Sequence, residues 1–297
     1  ACSHMKAWDG IFDAIKQSTG SALVNPQTRP TYGGCTDNTH IVSAGHENYF
    51  VKYAPEHAHS RFAAEAKGLA VLHGARAVRV PQVISCGITD AHAFLVLEYL
   101  NLGQGRDHTA AQLGQQLARQ HCVTDTAFGW EEDNFIGDAK QSNLRQADWS
   151  VFWREARLRP QLTRATQIIG IKLAGEAEKL LESCGAFFTD YQPAPALLHG
   201  DLWDGNWGAT ADGAPVIFDP AVYFGDREAD IAMTELFGRF PEVFYSAYRA
   251  AWPLDEGYPV RCELYNLYHV LNHLNLFGVG YLPQAERLIL RLLAQLR

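Results

Sequence analysis

The sequence predicts an α+β chain in two unequal parts, a β-rich region over about residues 6–98 and a mainly helical region over 99–297. Three observations carry this reading. The first hundred residues are short apolar runs broken by turn residues, as strands require. After "NLGQG" (101–105) the composition shifts to longer segments with helical spacing. Within the helical part, "LLHGDLWDGNWG" (197–208) crowds two acids, an amide, a histidine and two tryptophans into twelve positions, too much chemistry for a plain connection.

In chain order, residues 1–4 read as an expression scar ahead of Met5, and the spacing from Trp8 to Ser18 predicts a short helix. "THIVSA" (39–44) and "YFVKY" (49–53) alternate as strands around the turn "GHEN", predicting a hairpin. "SRFAAEAKGLAVLHG" (60–74) is a run of helix formers ending at Gly74. "RVPQVISCG" and "AHAFLVLEYL" predict two further strands, and 98–103 a hinge. Beyond it, helices are expected over 109–122, from "DWSVFWREARLRPQL" (148–162), over 171–184, and from 228 to the end. "APALLHGD" and "APVIFDP" are expected to bracket the 197–208 loop as short strands, with "ADGA" (211–214) as the turn between them.

Composition narrows the class of function. With 25 Lys and Arg against 33 Asp and Glu, the net charge is −8, which argues against a nucleic-acid binder, since phosphate contacts need clustered cations. No apolar run approaches the roughly 18 residues of a membrane span. Six scattered cysteines without a CxxC pair fit reduced thiols, and no signal or transit peptide is read, so a cytoplasmic location is expected.

Five residues form an ordered set. Lys52 is expected at the end of an apolar strand, Glu65 follows thirteen residues later on the next helix, Asp201 and Asn206 share one loop five apart, and Asp219 closes "VIFDP". These are the parts needed for phosphoryl transfer from ATP. A Lys steadied by a Glu grips the α- and β-phosphates, Asn and Asp oxygens suit Mg²⁺, and a second Asp orients or deprotonates the attacking hydroxyl. Singly, each has a plain structural explanation, such as a solvated Lys or an Asp-Pro turn; the ordered combination does not.

On these residues the chain resembles the protein-kinase-like fold in its small-molecule branch, the aminoglycoside and choline phosphotransferases, with "HGD" and Asn206 in place of HRD and Asn, and "FDP" in place of DFG. More specifically, it resembles the fructosamine kinase (ketosamine 3-kinase) family through "FAAEAKGL", "DNFIGDAKQSN", "LLHGDLWDGNW", "VIFDPAVYFGDREADIAMTELFG" and "HLNLFGVGY". The resemblance implies a bilobal fold and an ATP- and Mg²⁺-dependent kinase acting on the 3-hydroxyl of ketosamines, as small molecules or on glycated proteins. It implies Asp201 as the catalytic residue, Asn206 and Asp219 as metal ligands, and Lys52 with Glu65 at the phosphates. The backbone of Glu98 and Leu100 is expected at adenine, and Trp203 as a wall of the acceptor site. Gly33, Gly34 and Cys35 fall where the family's phosphate loop lies, although GxGxxG is not present. A thiol in that loop suggests oxidation control at Cys35, with a monomer or a redox-dependent dimer.

Two other readings stay open: a kinase of the same branch for an aminoglycoside or amino alcohol, and a nucleotide-binding module without catalysis. Other features read as structural. Asp204 caps a turn, His57 and His59 lie on the surface, and the i, i+4 pair His269 and His273 is a hydrogen-bonding pair and not a metal site. His199 braces its loop, Asp226 or Arg227 caps the following helix, and Asp230 ties the loop down. Glu228 could face the substrate.

Overall fold

The computed structural model describes residues 2–32 and 38–297, with side chains from residue 6 onward. Helix α1 (Cys2–Thr19) precedes strands β1 (Gln27–Thr31), β2 (Asn38–Ala44) and β3 (Glu47–Pro55), helix α2 (His59–Ala75), and strands β4 (Val83–Thr89) and β5 (His92–Glu98). The strands form one antiparallel sheet in the order β1-β2-β3-β5-β4. The hairpin, α2 and the last two strands lie where the sequence predicts them. Two expectations change. Helix α1 is longer than Trp8–Ser18 and runs through residues set aside as a scar, and β1 is an additional strand. With the polar sequence "QTRPT" it has no apolar alternation, and as an edge strand it can carry Pro30, which has no N–H to give.

Successive side chains of a strand point to opposite faces, and that alternation builds both sides of the sheet. Val51, Tyr53, Phe94 and Val96 pack under Ala7, Trp8, Ile11 and Ile15 of α1. Ala93, Leu95 and Leu97 face the other way, into the core that contains Phe62, Leu69 and Leu72 of α2. Lys52 stands opposite Leu95 in the ladder, in the middle of β3 and not at its end, so parity places it between Val51 and Tyr53 on the α2 side.

The second part begins with α3 (Asp107–His121) and a small hairpin, β6 (Asn134–Ile136) with β7 (Ala139–Gln141). A helical run follows from the Asp148 N-cap, whose side chain accepts from the Val151 amide: α4 (Trp149–Phe152), a π-helical turn (Trp153–Leu158) and α5 (Arg159–Glu182). Gly170, with φ 81° and ψ 166°, breaks α5 where the sequence separates two helices.

Strands β8 (Ala196–Leu198), β9 (Trp207–Ala209), β10 (Pro215–Ile217) and β11 (Tyr223–Gly225) frame the acid-rich loop. The expected turn between the two bracketing strands is corrected. β8 pairs with β11, and "ADGA" joins β9 to β10, because the loop itself returns as a strand at Trp207. The chain ends in α6 (Arg227–Thr234), α7 (Glu242–Ala251), α8 (Tyr258–Phe277) and α9 (Leu282–Gln295).

α8 buries residues around most of its circumference, among them Leu264, Tyr265, Leu267, Val270, Leu271 and Leu274, as expected of a central helix. α3 and α7 pack closely at Gly114, where a Cβ would come within 2.4 Å of the Phe244 carbonyl oxygen. One apolar core runs from Leu95 and Leu97 of the sheet into α3, α7, α8 and α9, so the two parts share buried surface. No helix among the described residues is long and apolar enough to cross a membrane.

Candidate active site

Lys52 is only 5% exposed, and an unpaired ammonium there would cost several kcal/mol. It is paired twice: Nζ lies 2.7 Å from Glu65 Oε1 on α2 and 2.7 Å from Asp219 Oδ1. Burial alone would lower its pKa, but the Asp219 and Glu65 carboxylates outweigh burial and raise it, so Lys52 stays charged. Thirteen residues of sequence separate it from Glu65 and 167 from Asp219, yet all three meet at one point.

The acid-rich loop is held from below. Gly200 has φ +87°, and a Cβ there would sit 2.0 Å from the Ala221 carbonyl oxygen, so only glycine fits. Buried His199 donates from Nε2 to the Phe218 carbonyl at 2.7 Å, while its Nδ1 accepts the Asp201 amide at 3.1 Å. Burial lowers the His199 pKa and keeps the ring neutral, as a donor on one nitrogen and an acceptor on the other requires. Asp230 of α6 accepts the amides of His199 and Gly200, both at 2.9 Å, and its Oδ2 meets His121 Nε2 at 2.9 Å. Burial opposes ionisation of Asp230, yet His121, His199 and the Gly200 amide lower its pKa below the ordinary carboxylate value. The bracing role of His199 and the tethering role of Asp230 thus have direct hydrogen-bonded counterparts.

Above this base, Asn206 Nδ2 donates to the Asp201 carbonyl at 2.8 Å and lies 3.4 Å from Asp201 Oδ2. The Phe218 amide donates to the Asn206 carbonyl and the Ala221 amide to the His199 carbonyl, lacing the loop to the segment that carries Asp219. Asp219 itself has φ +51°, a left-handed conformation costly for a non-glycine residue and concentrated at functional sites. Burial first, and then the neighbouring Asp219 charge, push the Asp201 carboxyl well above the usual carboxylate range, against the Asn206 hydrogen bond.

Lys52, Glu65, Asp201, Asn206 and Asp219 line one cleft of about 730 Å³ between the sheet and the helical part. Glu98, Leu100 and Leu102 lie along one stretch of its wall. The Glu98 amide already donates to the Gln82 carbonyl at 2.8 Å, so any adenine contact from that residue must use its carbonyl. Trp203 also lines the cleft, with its ring against Gly205. Gly33, Gly34 and Cys35, and with them the thiol expectation, lie outside the described residues.

Several lining residues were not singled out from the sequence: Asn134, Phe135 and Asp138 around the β6–β7 hairpin, and Asn272, Leu276 and Phe277 at the end of α8. His273 does bond to the His269 carbonyl through Nδ1, at 2.9 Å, but it also faces the cleft. The remaining features are structural. Asp204 accepts from Trp207 Nε1 at 3.2 Å, Asp226 caps α6, and Glu228 is buried against Arg261 at 2.8 and 3.0 Å and does not line the cleft.

Comparison with known proteins gives the family. A model of the fructosamine kinase family matches residues 7–295. A Synechocystis protein named as a ketoamine kinase is 41% identical over 283 residues, 95% of each chain. The chloroplastic protein-ribulosamine 3-kinase of Oryza sativa subsp. indica is 37% identical over 261 residues, 86% of this chain and 76% of its own. Among solved structures, one named as a fructosamine-3-kinase from Haemophilus somnus covers 99% of this chain and 100% of its own, with a TM-score of 0.91 and 28% identity. The spectinomycin phosphotransferase APH(9)-Ia, in complex with ADP and spectinomycin, shares the fold alone, with a TM-score of 0.58 and 14% identity over 95% of this chain and 93% of its own. A kinase-like sheet, a buried Lys–Glu–Asp cluster, a laced HGD loop and a full-length family match converge: this chain belongs to the fructosamine kinase family.

Proposed function

We propose that this protein transfers the γ-phosphoryl group of ATP to the 3-hydroxyl of a ketosamine, with free glycated amines and glycated protein side chains as acceptors. The observation that carries the reading is the convergence of Lys52, Glu65 and Asp219 at 2.7 Å contacts in the cleft that also holds Asp201 and Asn206. In this reading residues 6–98 form the nucleotide lobe, 98–103 the hinge and 99–297 the catalytic lobe.

The residues present fit Mg²⁺ bound together with nucleotide. Mg²⁺ is usually held by one or two protein oxygens completed by substrate phosphates and water, not by an all-protein cage. Among the described residues no cluster of three His, Cys, Asp or Glu side chains forms a metal site. Asn206 has its Nδ2 tied to Asp201, which turns Oδ1 away as a ligand, and Asp219 has one oxygen on Lys52 and the other available. Bound there, the ion would offset phosphate charge. Lys52, steadied by Glu65, holds the α- and β-phosphates. Asp201 orients the acceptor hydroxyl and takes its proton, and Trp203 offers an aromatic face to the sugar C–H groups.

The product is set up to fall apart. With phosphate on C3 and a carbonyl at C2, loss of a C1 proton gives the 1,2-enaminol. Its electrons expel inorganic phosphate from C3, and water hydrolyses the resulting C1 imine to release the amine. The kinase would therefore act as a deglycating enzyme. With ATP, Mg²⁺ and ribulosyl- or fructosyl-lysine, phosphorus NMR should show a signal coupled to the C3 proton that decays to inorganic phosphate as lysine appears. A stable phosphate on the terminal carbon would reject the reading. Asp201→Ala should abolish transfer yet still bind Mg–ATP by calorimetry, whereas Asp219→Ala should lose both.

A further inference from the structure

A chain of side-chain amides runs between α5 and α8 and ends at the cleft. Asn275 Nδ2 donates to the Gln161 backbone carbonyl at 3.0 Å and to Gln161 Oε1 at 2.8 Å. Gln161 Nε2 then donates to Asn272 Oδ1 at 3.0 Å. Gln161 and Asn272 are 1% and 2% exposed, so water does not compete for these bonds.

The direction of this relay is forced. A backbone carbonyl can only accept, so the end of Asn275 that meets it must be the NH₂ group. That NH₂ needs the oxygen of the Gln161 side chain beside it, which sends the Gln161 NH₂ to the other side. Asn272 must answer with its oxygen. Its own NH₂ is left on the opposite side of the carboxamide, with no acceptor among the described residues, in a residue that lines the cleft.

Phe135, Leu276 and Phe277 line the same cleft and are apolar, with His273, Asn134 and Asp138 as its other polar residues on the same elements. A fixed donor in such surroundings is costly to leave unmatched and correspondingly selective for an acceptor oxygen.

We propose that Asn272 Nδ2 is a specificity-determining donor for the acceptor substrate. It hydrogen-bonds a neutral oxygen of the sugar, and Gln161 and Asn275 are positioning residues that fix its polarity. The proposal rests on the reading that the acceptor is a ketosamine. It also orients that substrate: an N–H donor repels an ammonium, so the cationic amine of the ketosamine must point away from Asn272 and the sugar oxygens toward it.

The test is steady-state kinetics with ribulosyl-lysine as the varied substrate, alongside ATP as the varied substrate and the melting midpoint of each variant. Asn272→Leu should raise the ketosamine KM about tenfold, the loss expected for one hydrogen bond to a buried donor, with the ATP KM within twofold of wild type. Asn272→Asp keeps the shape and still accepts from Gln161, but turns an anionic oxygen to the sugar; KM should rise at least as far. Gln161→Met frees the Asn272 amide to rotate and should raise the ketosamine KM about threefold, with kcat nearly unchanged. A merely structural role would lower kcat and the melting midpoint instead. An unmoved KM in Asn272→Leu overturns the proposal, and so does a lower KM in Asn272→Asp, which would show that the group bound there is the ammonium. If wild type turns over no ketosamine, the substrate reading itself fails; an active wild type with unmoved variants fails the Asn272 assignment alone.

Discussion

Replacing Asp230 tests how the active loop is held. Its carboxylate is 1% exposed and accepts the amides of His199 and Gly200, the two residues before Asp201, while also meeting His121. Asp230→Ala leaves both amides buried without an acceptor. At about 1–3 kcal/mol for each unsatisfied group, the loss is about 4 kcal/mol. Unfolding entropy of about 2.1 cal/mol/K per residue, over a chain of this length, turns that into a fall in melting midpoint of about 6 °C. The Asp230 pKa is lowered in the folded state, so its contribution is present at neutral pH and is lost only as pH falls through that depressed value. The deficit of the variant should therefore hold across pH 6–8. A displacement of Asp201 by about 1 Å costs on the order of a hundredfold in rate, so kcat should fall by that factor or more. Calorimetry and an ADP-release assay read the two effects. A variant that melts 6 °C lower but keeps wild-type kcat would show that Asp230 supports the fold and not the position of Asp201. An unchanged midpoint would refute the hydrogen-bond bookkeeping as well.

Three further outcomes follow from the same geometry. Lys52→Met removes the cation between Glu65 and Asp219 and should raise the ATP KM and lower kcat, about a hundredfold or more in kcat/KM, read from initial rates at varied ATP. The Asp201 pKa is raised by burial and by Asp219, so a bound cation, which favours its ionised form, should expel a proton; Mg–ATP affinity should fall as pH falls. Calorimetry in buffers of different ionisation enthalpy should find that release in wild type and not in Asp201→Asn. Gly114→Ala forces α3 and α7 apart where the added Cβ would sit 2.4 Å from the Phe244 carbonyl oxygen, outside the cleft lining; it should cost about 1–3 kcal/mol by thermal melting while the folded enzyme keeps its kcat.

By itself the sequence pointed to a kinase and to the local elements that carry the candidate residues. Phosphoryl transfer needs a cation, a brace, a base and oxygen ligands, and few residue types can serve, so Lys52, Glu65, Asp201, Asn206 and Asp219 stand out in one dimension. The β2–β3 hairpin and α2 are equally legible, because alternation and helix-forming runs act over a few residues. Only the tertiary structure decided what depends on long-range closure. β1 has no pattern of its own and becomes a strand because β2 offers it an edge. β9 and β10 pair with each other, not with β8, because β8 has already found β11. Asn272, His273 and Phe277 look like the continuation of a buried helix until the cleft opens beside the end of α8. The side of the Asn272 amide that faces the cleft is set by a backbone carbonyl 111 residues away at Gln161, through a hydrogen-bond polarity that composition and spacing do not encode.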